Sequence, residues 1–163
     1  MTITISRTGL LPAAASTKFT TESIPFSQMH EITATSNYSN IIWRNGIRKA
    51  ANFVCANSLI LDIDGTVPVG EMKGAFETTE NVLIVTSKSH MSKNKVTDTG
   101  ALGKAIEPAD YYHVIIALED PITDLDTYRE VTKKLINKFD GDPSCKDGAR
   151  FYYGNPQQER WYS

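Results

Sequence analysis

Residues 59–66 read LILDIDGT, an apolar run that enters an Asp-x-Asp pair and then Gly-Thr. With Ser58 in front, the run reads as a buried strand, and period-2 geometry sends Asp62 and Asp64 to the same side of it. Two carboxylates placed together beside an apolar strand repel each other and lose hydration, so they need exposure, nearby donors, a basic partner or a cation. Oxygen ligands without an adjacent Cys or His favour Mg²⁺ or Mn²⁺.

The rest of the composition narrows the setting. A chain of 163 residues is about one domain, with room for a real core. With 40% hydrophobic and 22% charged residues and no apolar run near membrane-spanning length, it reads as a soluble globular protein with no membrane role. The start, MTITISRTGLLPAAAS, lacks the continuous apolar core of a secretory signal, and a cytoplasmic location is expected. Cys55 and Cys145 have no Cys-x-x-Cys spacing, so buried or incidental thiols are expected rather than a disulfide framework or a zinc site. The net charge of −2 argues against a broad basic nucleic-acid surface. Any such contact is local, with Arg44, Arg48 and Lys49 in WRNGIRK and Lys88, Lys93 and Lys95 in SKSHMSKNK as the basic stretches.

Along the chain, residues 1–22 predict an irregular or edge-strand lead-in, and YSNIIWRNGIRKAANF (38–53) predicts a partly helical segment. The breakers Gly65, Pro68, Gly70 and Gly74 predict a turn and a short strand rather than a long helix. VLIVT (82–86) and YYHVIIAL (111–118) predict buried strands, separated by a polar loop long enough to be functional. Leu125, Tyr128, Val131, Leu135, Ile136 and Phe139 recur at helical spacing and predict a helix with its stripe in the core, with Thr127 and Glu130 as a capping box. FDGDPSCKDGARFYYGNP then predicts an acidic turn leading to a short aromatic strand.

Two enzyme families share the opening motif. Asp62, Asp64, Gly65 and Thr66 resemble the first motif of haloacid-dehalogenase-like phosphohydrolases. That resemblance implies Asp62 as nucleophile, Asp64 as acid/base, Thr86 as phosphate-binding hydroxyl, and Gly141, Asp142 and Asp147 as the late Mg²⁺ motif. Its scaffold fits poorly, because the segment before Asp140 is amphipathic at helical spacing where a buried strand is required.

A second resemblance runs from about residue 55 to residue 155. Asp62 and Asp64 on an apolar strand, Ser87, Lys88 and Ser89 after a second strand, His113 in YYHVII, and Asp142 followed by Arg150 and FYY are similar, in order, to the motifs of the archaeo-eukaryotic primase (AEP) superfamily. The likeness is to its primase-polymerase branch, found on plasmids, phages and other mobile elements. It implies an α/β catalytic core with a mixed or antiparallel sheet flanked by helices, one half of it like an RNA-recognition motif, in a single domain over 1–163. It further implies a template-directed nucleotidyltransferase, a DNA primase or polymerase, that uses Mg²⁺ or Mn²⁺ held by Asp62, Asp64 and Asp142.

The same resemblance implies nucleotide contacts by Ser87, Lys88, Ser89, His113 and Arg150, with His90 the competing histidine and Asp140 the competing acid. Its partners would be a single-stranded DNA template and NTP or dNTP, with a helicase domain or protein often associated. Asp147 sits where such proteins often have a second acid. A replication-associated binding module without activity is a third reading. Independently of family, alternation in YYHVIIAL puts His113 on a face with Ile115 and Ala117, so its polar ring needs a partner there.

Overall fold

The computed structural model describes residues 1–96 and 102–163; residues 97–101 of the polar loop, and the side chains of Lys95, Val96, Leu102 and Lys104, lie outside the described residues. Chain order runs β1 (Thr2–Thr8), β2 (Thr20–Pro25), α1 (Met29–Thr35), β3 (Asn37–Ser39), β4 (Ile41–Trp43), β5 (Phe53–Asp64) and α2 (Val69–Ala75). It continues with β6 (Val82–Thr86), β7 (Asn94–Val96), β8 (Leu102–Ala105), β9 (Tyr111–Ile122), α3 (Leu125–Phe139) and β10 (Arg160–Tyr162).

The three apolar runs make the heart of a five-stranded sheet ordered β10-β6-β9-β5-β4. Strand β9 is antiparallel to both β5 and β6. β5 and β6 therefore run parallel with β9 between them and α2 in the connection, a split β-α-β unit of the kind expected for an RNA-recognition-like half. A second sheet, β2-β1-β3, and the small β7-β8 pair complete the mixed architecture of antiparallel sheets flanked by helices.

Alternation assigns the two faces of the large sheet. Leu61 and Ile63 of β5 point to the side where the turn after α3 packs, since a methyl group added at Gly141 would meet both. Tyr112 on the same face donates its hydroxyl to the Val67 carbonyl before α2, and the rings of Phe76 and Phe139, after α2 and at the end of α3, meet at 5.1 Å with their planes tilted by 33°. The opposite face carries Asp62 paired across the ladder with His113, which is itself paired with Val85. Tyr38 of β3 reaches that face, and Ile3 and Ile5 of β1 are wholly buried in the same core cluster.

Several local expectations are corrected. Residues 2–8 form β1, the central strand of its sheet rather than an irregular or edge lead-in, because Ile3 and Ile5 alternate into the core. The 38–53 segment holds no α-helix: its helical part is two three-residue 3-10 helices, Arg44–Gly46 and Ala50–Asn52, beside β3 and β4, and Asn45 and Gly46 take positive φ there. Gly46 is required, since a Cβ would run into the Phe19 carbonyl oxygen. The 65–80 interval holds the seven-residue helix α2 in place of a short strand; Pro68 sits at its N-cap, and Met72 and Phe76 are buried.

Helix α3 forms as its periodicity predicts, but its cap is Asp124, whose carboxylate accepts from the Thr127 amide at 2.7 Å and hydroxyl at 2.8 Å. The aromatic strand expected at FYY is reduced to one isolated bridge between Tyr38 and Tyr152. Among the described residues no helix is long and apolar enough to cross a membrane.

Candidate active site

Asp62, Asp64, Ser87, Lys88, Ser89, His113, Asp142, Asp147 and Arg150 all line one cavity of about 430 Å³. The end of β5 brings in Asp62 and Asp64, where Gly65 at φ +79 turns the chain out of the strand. Asp142 arrives from the far end of α3. Asp140 closes that helix in the left-handed region, and the Asp142 amide donates to the Asp62 carbonyl at 2.8 Å. Asp142 lines the cavity, while Asp140 caps the helix and accepts the Thr66 hydroxyl at its carbonyl.

Asp142 is held on several sides. Its Oδ1 accepts from the Ser144 amide at 2.8 Å, capping the turn Pro143–Lys146, and its Oδ2 accepts the Ser144 hydroxyl at 2.7 Å. Arg150 Nη2 donates to Asp62 Oδ2 at 2.8 Å and to Asp142 Oδ2 at 3.3 Å, bridging the two carboxylates. Burial first, then the charges of Asp64 and Asp142, push the Asp62 carboxyl up to about 6 against the lowering effect of Arg150. Beneath it, the Asp62 amide donates to Cys145 Sγ at 3.2 Å, and burial, with the Asp62 charge, pushes that thiol up to about 11. Both cysteines are free, Cys145 as a buried neutral thiol.

His113 is buried at 5% exposure, and burial, reinforced by Arg150, lowers it to about 3, so it is neutral. Its Nε2 faces Asp62 Oδ1 at 3.6 Å and its Nδ1 lies 2.6 Å from the Tyr38 hydroxyl. A carboxylate opposite Nε2 favours the proton there, which makes Nδ1 the acceptor of the Tyr38 proton. Tyr38 keeps that proton, because burial and then the Asp62 charge raise it well above the usual range. The partner demanded by strand alternation is therefore Tyr38 on one nitrogen and Asp62 on the other.

His90 is not among the cavity residues; its Nδ1 stands 3.8 Å from Asp110 Oδ1. Thr86 is likewise outside the cavity, buried at the end of β6 with its hydroxyl accepting from the Glu159 amide at 2.8 Å. Sequence reasoning missed Tyr38 and the cavity residues Ala13, Ser144 and Ala149, left Arg48 as one member of a basic stretch, and read Phe151, Tyr152 and Tyr153 as a short aromatic strand without assigning any of them to the site. Arg48 carried a signal in its charge and residues 151–153 in their rings; the others are assembled by tertiary contacts.

The donor chemistry fits a hard divalent cation: Asp62, Asp64 and Asp142 offer only oxygen, and Asp62 is raised first by burial and then by the charges of the other two acids, both of which a bound cation would offset. As they stand, no three His, Cys, Asp or Glu side chains among the described residues are close enough to hold a metal ion. Arg150 takes the position between Asp62 and Asp142 instead.

No family model matches the sequence, and no curated protein does. Among solved structures, the AEP domain of the cyanophage S-2L primase-polymerase (PrimPol) is similar at a TM-score of 0.52, with 14% identity over 98% of this chain and 80% of that one. At that identity the likeness is one of architecture: the chain has the α/β fold of a primase-polymerase AEP domain.

Proposed function

We propose that the chain is a template-directed nucleotidyltransferase, a DNA primase or polymerase that extends or initiates primers on single-stranded DNA with NTP or dNTP. The observation that carries this reading is the convergence of Asp62, Asp64 and Asp142 with Ser87, Lys88, Ser89, His113 and Arg150 on one cavity of a fold shared with a primase-polymerase domain. Asp62, Asp64 and Asp142 are the residues that would hold Mg²⁺ or Mn²⁺. Bound there, such ions would lower the barrier to attack on an α-phosphate and stabilise the leaving pyrophosphate.

The chain's own groups divide the remaining work. Arg150 offers a planar, permanently charged fork to phosphate oxygens once it leaves the acids, and neutral His113 presents its Nε2 proton to the same cavity. Ser87 and Ser89 add short donors, and Lys88 a compact charge. A phosphohydrolase reading would need Thr86 at the phosphate, and its hydroxyl is instead buried and bonded to the Glu159 amide. It would also need a strand before Asp142, where α3 stands.

The test is incubation with single-stranded DNA, labelled nucleotides and Mn²⁺, beside p-nitrophenyl phosphate as the hydrolase control. Incorporation that disappears in Asp62→Ala and Asp64→Ala supports the proposal. Hydrolysis of the control without incorporation overturns it.

A further inference from the structure

Arg48 belongs to the basic stretch WRNGIRK, yet it is not a freely solvated charge. Its guanidinium carbon lies 4.6 Å from the centroid of the Phe151 ring, and its Nη2 donates to the Ala13 carbonyl at 3.3 Å. It lines the same cavity as the acids. Among the described residues no carboxylate pairs with it. A guanidinium held over a ring, braced by a carbonyl and left without a carboxylate is pre-organised for an anion from outside.

Two guanidinia therefore serve this cavity from different supports. Arg150 stands 5.3 Å from the Tyr152 ring and engages Asp62 and Asp142, whereas Arg48 rests on Phe151. Tyr152 turns inward to stack on Tyr38 and to donate to the Ile60 carbonyl. Phe151 and Tyr153, one residue to either side, meet edge to face at 5.0 Å and share the other wall. Lys88 Nζ, 5.3 Å from the Tyr153 centroid, joins that wall to the groups assigned to the nucleotide phosphates.

We propose that Arg48 on Phe151, with Tyr153 beside it, is a subsite for a single strand of nucleic acid, Arg48 taking a backbone phosphate and the Tyr153 ring an unpaired base. Cations interleaved with aromatic rings are what sequence-tolerant single-strand binding requires, because every base has a π-face and every linkage a charge. The inference rests on the nucleotidyltransferase reading for the identity of the strand as template.

The test is anisotropy of a short labelled oligothymidylate across a salt series, for the wild-type chain, Arg48→Gln, Arg48→Lys and Tyr153→Leu, with nucleotide KM measured in parallel. Glutamine keeps packing on Phe151 without the charge. Arg48→Gln should raise Kd about tenfold and flatten the slope of log affinity against log salt by about 0.7, the signature of one lost single-strand phosphate contact. Arg48→Lys should restore the slope but only part of the affinity, Tyr153→Leu should raise Kd with an unchanged slope, and nucleotide KM should hold in all three.

An unchanged Kd and slope in folded Arg48→Gln overturns the subsite, as does a raised nucleotide KM with unchanged strand affinity, or a wild-type chain that does not bind the oligonucleotide. Wild-type protein that binds the strand with these dependences yet incorporates nothing overturns the polymerase reading and leaves the subsite standing. Incorporation with Arg48-independent binding does the reverse.

Discussion

Arg150 Nη2 donates to Asp62 Oδ2 across 2.8 Å, and the same nitrogen stands 3.3 Å from Asp142 Oδ2. The guanidinium thus supplies the positive charge that two neighbouring carboxylates from different elements require. Asp62 and Asp142 are also residues that would hold a divalent cation, whose charge would serve the same need, and Arg150 relieved of them would be available to phosphate.

Removing Arg150 tests that exchange. Arg150→Gln leaves Asp62 and Asp142 facing each other without compensation and should cost roughly 1 to 3 kcal/mol, less than a fully buried pair because the side chain is 28% exposed. Thermal melts with and without Mn²⁺ are the measurement. The metal should raise the Tm of Arg150→Gln by more than that of the wild type, and an equal shift in both would show that the cation and the guanidinium do not share a place.

The raised Asp62 carboxyl sets a pH dependence of definite sign. Its folded value of about 6 lies above the usual 3.8, so between those values the folded chain binds the proton more tightly than the unfolded chain does. Its contribution therefore favours folding at low pH, is lost as pH rises from about 4 to 6, and is absent above that range. Two units correspond to roughly 3 kcal/mol as an upper bound. Asp62→Asn should gain stability relative to wild type across that window while losing nucleotide incorporation. A stability difference that is flat from pH 4 to 7 would contradict the assignment.

Thr86 separates the two enzyme classes that share Asp-x-Asp-Gly-Thr. Its hydroxyl accepts the Glu159 amide where β10 meets β6, so Thr86→Val should cost about 1 kcal/mol of stability and leave incorporation at wild-type levels. Complete loss of turnover at an unchanged Tm would restore the phosphohydrolase reading.

What the sequence made legible follows from which forces are local. LILDID, VLIVT and YYHVII announce strands because apolar and β-branched runs have few other homes, and residues 125–139 announce a helix because six apolar positions share one stripe. Helix α2 was hidden by Gly70 and Gly74. Both face open space, so each costs about 1 kcal/mol of propensity, which burial of Met72 and Phe76 offsets. In the site, Asp62, Asp64 and His113 were readable from strand alternation. Arg48 on Phe151 and Tyr38 on His113 were not, because no local pattern tells which ring will lie beneath a charge contributed by a distant segment.

The last prediction concerns His113 and the hydroxyl behind it. Neutral His113 offers its Nε2 proton to the cavity while Nδ1 accepts from Tyr38, so the tyrosine fixes which nitrogen carries the proton. His113→Ala should lower kcat/KM for nucleotide by about 10 to 100-fold, the scale of one lost hydrogen bond to a charged group. It should also lower Tm, since the Tyr38 hydroxyl is left buried without its partner. Tyr38→Phe separates the two effects. The ring and its stacking on Tyr152 remain, but Nδ1 loses its donor, so a fall in kcat/KM at near-constant strand affinity, with an altered tautomer ratio in the ¹⁵N spectrum of the ring, marks a positioning role. His90→Ala is the control, because His90 lies outside the cavity and near Asp110. A nucleotide defect larger at His90 than at His113 would transfer the phosphate contact to the loop histidine and leave His113 a core residue.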